Sequence, residues 1–325
     1  MYQPSAASVH STPYQPFLEP ILPTQTPFVP RIDNTDTIYG YTLRKLIGKG
    51  GFGEVYLAFD NVKKQYYAIK REERKQMSQS ELINHLYDGP YYREEGVDKT
   101  LFREFNLLNE LSHINIIQVF DLFKTDTHWH LVMEFMDMGS IKGIINGKVL
   151  KELDVKYITG QVLNGLVFLH SHIPKPIVHR DIKADNLLLN SAGIVKIGDF
   201  GITNMLYLIH EGNYGLQTRA GTPSHVAPEV NLAGTNLFPN SPNSYGAPVD
   251  IWSLGCTVME MLTGRCPNSE GYFKSIYWGN PPFDAYRPAN ISNNCWFFIQ
   301  SCLYPDPNPR LTAYLLKGHP WQIFC

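Results

Sequence analysis

Three polar segments of this chain carry residue types suited to phosphate chemistry. The first, Gly48-Lys49-Gly50-Gly51-Phe52-Gly53-Glu54-Val55, is rich in glycine. Residues without a Cβ let backbone amides approach phosphate oxygens closely. Alone, such a segment is equally a hairpin turn or the glycine turn of a dinucleotide site. The dinucleotide reading needs a helix directly after the glycines, whereas Val55-Tyr56-Leu57-Ala58 reads as a strand, so that reading falls. The second is Lys70, which closes the apolar run Tyr67-Ala68-Ile69. A lone lysine there ordinarily points to solvent. A carboxylate partner would draw it into a cleft instead, and Glu104 is the candidate. The third is His179-Arg180-Asp181-Ile182-Lys183-Ala184-Asp185-Asn186, followed by Asp199-Phe200-Gly201 and Ala227-Pro228-Glu229. An isolated loop aspartate is usually a turn former, so the information lies in the order of these blocks.

The surrounding pattern predicts what positions them. Tyr41 to Lys49, Glu54 to Asp60 and Gln65 to Arg71 are β-rich runs separated by turn residues. Leu101, Phe105, Leu108 and Leu111 repeat at helical spacing. Two further strands are expected, Ile116 to Phe123 and His128 to Phe135. Beyond Gly139 the pattern becomes helical: Val155, Ile158, Val162, Leu166 and Leu169 mark one face of a long helix. Val249 to Met261 reads as a second helix, and Ser292 to Leu316 as shorter pieces broken by Pro305, Pro307 and Pro309. Residues 1–36 are rich in proline, which is excluded from helix interiors and central strands. A disordered tail is expected there, with a ligand for proline-reading domains as the other reading.

With 325 residues the chain can bury more than one core. Its apolar fraction of 43% and charged fraction of 18% are those of a globular protein. A formal net charge of −2 supplies no field to attract nucleic acid or an anionic membrane. No secretory signal and no membrane-length apolar run is visible. Cys256, Cys266, Cys295, Cys302 and Cys325 form no metal-ligand spacing, and reduced thiols are expected. A cytoplasmic protein follows, with a nuclear one as the other reading.

The ordered blocks resemble the signature of the eukaryotic protein kinase family, serine/threonine type, from about residue 41 to residue 321. Asp181-Ile182-Lys183-Ala184-Asp185-Asn186-Leu187-Leu188-Leu189 and Asp137-Met138-Gly139-Ser140-Ile141 are most similar to the sterile-kinase group, which includes the MAP kinase kinase kinases. The resemblance implies an α+β, bilobal fold. An N-lobe at 37–136 would hold a small antiparallel β-sheet plus a helix, and a mainly helical C-lobe would occupy 137–325. It implies ATP and Mg²⁺ as cofactors and protein hydroxyls as substrates. Asp181 would accept the proton of the attacking hydroxyl, Asn186 and Asp199 would hold Mg²⁺, and Lys183 would meet the γ-phosphate. Lys70, paired with Glu104, would meet the α- and β-phosphates. The glycine-rich segment Gly48, Lys49, Gly50, Gly51, Phe52 and Gly53 would cover them. Ile47, Val55, Ala68 and Leu188 would sandwich the adenine, Met133 would control the back of the pocket, Glu134 and Met136 would bind its edge through backbone groups, and Ser140 would approach the ribose.

The resemblance further implies that Thr218 is an activating phosphosite with Arg180 as its charge partner. Phe200 would stack with His179, Leu108 and Val119. Thr222 would bond to Asp181 and Lys183, and Glu229 would pair with Arg310. The stretch Met77 to Asp98 and the loop Asn231 to Ala247 are longer than the family pattern needs. The first is either a tolerated surface insertion or a docking site for a partner. A pseudokinase scaffold is the competing class, and loss of Lys70, Asp181, Asn186 or Asp199 would signal it. All four are present.

Overall fold

The computed structural model describes residues 37–50, 53–73, 100–173, 175–201, 204–205, 208–209, 213–214, 222–231, 246–265 and 283–323. The 1–36 tail, the 77–98 stretch and most of the 231–247 loop lie outside them, as do Gly51, Phe52, Thr218, Cys266 and Cys325.

Six strands form one antiparallel sheet in the order β1-β2-β3-β4-β6-β5. They are β1 (Thr37–Ile38), β2 (Tyr41–Gly50), β3 (Gly53–Asp60), β4 (Gln65–Glu73), β5 (Val119–Lys124) and β6 (His128–Glu134). Partners directly opposite one another share a face, and side chains alternate along each strand. Val55 lies opposite Lys70, Lys70 opposite Leu131, and Ala68 opposite both Leu57 and Met133. One face therefore carries Val55, Leu57, Ala68, Lys70, Leu131 and Met133. The other carries a small core of its own, with Tyr41, Leu43, Ala58, Tyr67, Ile69 and Val132. Helix α1 (Thr100–Asn109) packs on the first face, burying Leu101, Glu104 and Leu108.

The expected strand from Ile116 begins instead at Val119. Ile116 forms a parallel bridge with Ile197, while Ile117 donates to the Ile197 carbonyl and Ile197 donates to that of Asn115, each at 2.9 Å. The β-branched residues satisfy their backbone on a strand of the helical half, so this segment straps the two halves together.

Beyond it come β7 (Gly139–Ser140), α2 (Ile141–Ile145), α3 (Glu152–His170), β8 (Ile177–Val178), β9 (Leu187–Leu189) and β10 (Val195–Ile197). Helices α4 (Pro228–Asn231), α5 (Pro248–Thr263), α6 (Asn293–Cys302), α7 (Ala313–Lys317) and α8 (Pro320–Ile323) follow. The apolar stripe of α3 is buried as expected. At Gly165 on that helix a Cβ would come within 2.8 Å of Ile197 Cδ1, so the glycine sets the approach of β10. Helix α5 is buried on every side from Val249 to Leu262, with Asp250, Ser253, Thr257 and Glu260 forming one buried polar face. It starts with proline and ends at Gly264, whose left-handed φ of 72° closes it. Cys256, Cys295 and Cys302 are buried and unbridged, and burial pushes the Cys295 and Cys302 thiols up. Among the described residues, no helix is long and apolar enough to cross a membrane. A curled sheet with one helix, joined to a helical body, is the bilobal α+β architecture.

The helical body has one buried ion pair of unusual completeness. Arg310 Nη1 and Nη2 meet Glu229 Oε1 and Oε2 at 2.7 Å each. Its remaining N–H groups donate to the carbonyls of Tyr304, Pro248 and Pro305. The guanidinium also lies 5.0 Å from the centre of the Trp252 ring. All five donors are thus used, a geometry lysine cannot reproduce. Arg310→Ala leaves Glu229 charged and buried, so urea unfolding should show a loss of about 3–5 kcal/mol. A change below about 1 kcal/mol would contradict this role.

Candidate active site

Lys70 projects from β4 into the space between sheet and body, 6% exposed. Its Nζ lies 2.8 Å from Glu104 Oε2 and 2.9 Å from Asp199 Oδ1, with Glu72 Oε1 at 3.8 Å. Burial pulls the ammonium's pKa down, but the charges of Glu104, Asp199 and Glu72 outweigh it, and the net shift is upward. The lysine therefore stays charged. The other oxygen of Glu104 accepts from the Phe200 amide at 3.0 Å. Asp199 holds a left-handed φ of 57°, a conformation aspartate tolerates better than most residues.

Asp181, 3% exposed, is held on all sides. Its Oδ2 accepts from Lys183 Nζ at 2.7 Å and from Asn186 Nδ2 at 2.9 Å. Its Oδ1 accepts from Thr222 Oγ1 at 2.6 Å and from the Thr222 amide at 3.0 Å. Lys183 also donates to Thr222 Oγ1 at 2.6 Å, as expected. Burial pushes this carboxyl's pKa up, yet the hydrogen bonds from Lys183 and Thr222 and the nearby positive charge hold it below the ordinary 3.8. The Asn186 amide nitrogen is committed to Asp181, so its carbonyl oxygen points away from that carboxylate.

The loop bearing Asp181 is held from below. Asp250, fully buried on α5, accepts from the His179 amide at 2.9 Å and the Arg180 amide at 2.7 Å. His170 Nε2 lies 2.9 Å from the same carboxylate. Burial pushes Asp250 up, and the His170 bond and neighbouring charges bring it below its usual value. These bonds secure Arg180 at a left-handed φ of 73°. Arg180 is itself buried, and Thr218, its expected partner, lies outside the described residues. His179 meets Phe200 edge to face at 4.7 Å, and Phe200 shares its core with Leu108 and Val119.

On the sheet, Gly53 has a φ of +114°, and a Cβ there would stand 2.3 Å from the Arg71 carbonyl oxygen. Only glycine fits. Glu54 braces the hairpin by accepting from Arg71 at 2.7 Å, Tyr56 at 2.8 Å and Lys49 at 3.0 Å. Those bonds, led by Arg71, bring its carboxyl down to about 2. Val55, Ala68 and Met133 share the Lys70 face. Gly48 pairs with Val55, and Ile47 occupies a bulge of β2 where the register shifts. Leu188 comes from the body, on β9 opposite Ser140 of β7. The Ser140 hydroxyl accepts from the Gly143 amide at 3.2 Å and caps α2. The Glu134 amide donates to the Gln118 carbonyl, and the Met136 carbonyl accepts from Gly139.

Sequence reasoning passed over three supports: Asp250 with His170, the pair Glu134–Lys196 at 2.7 Å, and the pair Glu260–Lys142. Each is a charged residue inside an apolar run, which is the signal that could have found them.

A glycine-rich hairpin one strand away from a buried ammonium offers unhindered backbone amides and a fixed positive charge, the chemistry a polyphosphate needs. The Asn186 carbonyl and the Asp199 carboxylate are the hard oxygen donors that Mg²⁺ prefers. The family model for the protein kinase domain matches residues 41–322. The chain belongs to the protein kinase family. The kinase is 32% identical over 291 residues to "MAP3K epsilon protein kinase 2" of Arabidopsis thaliana, covering 86% of this chain and 19% of that protein. It is 34% identical to "MAP kinase kinase kinase mkh1" of Schizosaccharomyces pombe, covering 86% and 24%. It is 35% identical to "Mitogen-activated protein kinase kinase kinase 15" of Mus musculus, covering 83% and 18%. These relatives place it in the serine/threonine, MAP kinase kinase kinase-like group. The chain spans about a fifth of the length of these curated relatives.

The depressed Asp181 carboxyl makes a pH prediction for the kinase. A carboxylate whose pKa is lowered stays ionised until the pH falls below its unperturbed value. In a pH profile of kcat/KM, the acid limb due to Asp181 should lie below 3.8 and should move upward in Thr222→Ala. A limb above 3.8 that moves with Thr222→Ala would contradict the assignment.

Proposed function

We propose that this kinase domain, comprising lobes at 37–136 and 137–325, is catalytically active and transfers the γ-phosphoryl group of ATP to serine or threonine hydroxyls of proteins in signalling. The observation carrying this reading is that Lys70 bonds Glu104 and Asp199 while Asp181 bonds Lys183 and Asn186, the two clusters being joined where the Gly198 amide, next to Asp199, donates to the Asn186 backbone carbonyl at 2.9 Å. Losing one of these residues is what a pseudokinase scaffold would be expected to show.

The roles follow from charge and reach. Phosphoryl transfer passes through a loose transition state with dispersed negative charge, so fixed cations and dipoles matter more than covalent chemistry. Lys70, charged and aimed by Glu104, would orient the α- and β-phosphates. Mg²⁺, held by Asn186 and Asp199, supplies neutralisation of the phosphate charge when bound. Asp181, ionised and oriented by Thr222, would accept the hydroxyl's proton. Lys183 would lie against the transferred group. Its joint bond with Thr222 to Asp181 favours an aliphatic hydroxyl over tyrosine. Val55, Ala68, Met133 and Leu188 would enclose the adenine, in an apolar cleft with few polar contacts.

By its relatives' names, the protein substrate would be a MAP kinase kinase. Thr218, once phosphorylated, would bring about −1.5 to −2 charges toward Arg180 and order the loop. The 77–98 stretch would be either a tolerated insertion or a docking site, the prolines of 1–36 would meet a proline-reading domain if the tail has a partner, and the protein would work in the cytoplasm or nucleus.

Transfer of labelled phosphate from ATP to a generic basic protein tests the reading. Asp181→Asn should lower kcat by about 10²-fold or more while leaving nucleotide affinity intact. No transfer by the parent protein, even with Thr218 phosphorylated, would mark it as a scaffold.

A further inference from the structure

Lys70 and Arg71 are consecutive on β4, so their side chains point to opposite faces of the sheet. Lys70 meets Glu104 and Asp199 on one face. Arg71 stands on the other, where its Nη2 donates to Glu54 Oε2 at 2.7 Å and to Tyr56 Oη at 2.8 Å. Its guanidinium carbon lies 4.7 Å from the centre of the Tyr56 ring. Tyr56 Oη closes the triangle by donating to Glu54 Oε2 at 2.8 Å. Lys49 meets the other oxygen of Glu54 at 3.0 Å. The register explains the convergence: Lys49 lies opposite Glu54, and Glu54 opposite Arg71. Strands β2, β3 and β4 thus meet at one carboxylate. Tyr56 also packs against the small core of the sheet, which roots the cluster.

The backbone adds a second hold. The Arg71 carbonyl oxygen is the atom that a Cβ on Gly53 would strike. Residue 71 therefore grips two successive residues of the glycine hairpin, Gly53 through its backbone and Glu54 through its side chain. The Arg71 and Glu54 side chains are each 26% exposed, and a pair that wet adds little to stability. Its consequence is positional. A polyphosphate must meet the hairpin amides and the Lys70 ammonium together, and Arg71 is the side chain that ties the hairpin to the strand bearing Lys70.

We propose that Arg71, acting through Glu54 and Tyr56, is a positioning residue for the nucleotide phosphates: it clamps the glycine hairpin to β4 from the face opposite Lys70 and so sets the spacing between the two. This inference rests on the nucleotide-binding part of the reading above, and not on transfer. It places the effect on the phosphates more than on the base, because the clamp grips the glycine end of the hairpin.

The test is calorimetric titration with a non-hydrolysable ATP analogue in Mg²⁺, and separately with adenosine, on variants shown by thermal unfolding to be folded. Arg71→Met removes both side-chain bonds and should weaken the analogue about fivefold, with adenosine affinity within about twofold of the parent. Glu54→Met should weaken the analogue by a similar factor. A field effect alone predicts the reverse for Glu54→Met, since removing a carboxylate near a triphosphate favours binding. The double variant should lose no more than Arg71→Met alone, because the two side chains act as one unit. Should Arg71→Met not fold, Glu54→Met carries the same expectation. Parent-like affinity for the analogue in a folded variant would overturn the proposal. So would tighter binding in Glu54→Met, or an equal loss for adenosine. A parent protein that binds the analogue in this Arg71-dependent way but transfers no phosphate would uphold the clamp and overturn the transfer reading.

Discussion

A charged amine taken out of water costs several kcal/mol unless its counter-charges are well placed. Lys70 is such an amine, and the molecule is organised around keeping it ionised. Glu104 comes from a helix packed on the sheet, and Asp199 comes from the body. Neither lobe alone completes the pair, so the ammonium ties both to one geometry. Glu104, held by the same ammonium, accepts from the Phe200 amide with its other oxygen. The ordering of the lobes and the ordering of the Lys70 cluster are therefore one electrostatic event.

The second requirement is a rigid floor. Arg180 and Asp199 both hold left-handed backbone conformations that ordinary residues avoid. Such strain persists only where the surroundings fix it. At Arg180 the fixing group is Asp250, a buried carboxylate that accepts two successive backbone amides. At Asp199 it is the Lys70 cluster, together with Phe200 seated in the core beside His179. Helix α5, buried on all sides, carries Asp250, Thr257 and Glu260 along one face beneath the Asp181 loop, and it serves as that loop's reference frame.

Much of this was legible in the residue order. The strand and helix periods lie within a few residues of the observed elements, because one face of each is buried and its period is strict. Lys70–Glu104, Thr222–Asp181, Phe200–His179 and Glu229–Arg310 all lie within contact distance. Ile116 and Ile117 were harder to read. Their β-branched side chains favour extended backbone, but the sequence does not say which lobe supplies the partner strand. Ser140 likewise has one hydroxyl and two plausible uses, and the observed one is to cap α2. Asp250, Lys196 and Glu260 stayed hidden because periodicity marks buried apolar residues and is silent on buried charges. Those charges are legible only once their counter-charges are brought together from distant segments.

The proposed activity requires Lys70 and Asp199 to act together on one bound nucleotide, with Asp199 holding the Mg²⁺ that would accompany it. Calorimetric titration of ATP, with and without Mg²⁺, tests this most directly when the parent is compared with Asp199→Asn. Mg²⁺ should strengthen ATP binding to the parent, and that gain should vanish in the variant. An identical Mg²⁺ dependence in the two proteins would contradict the account.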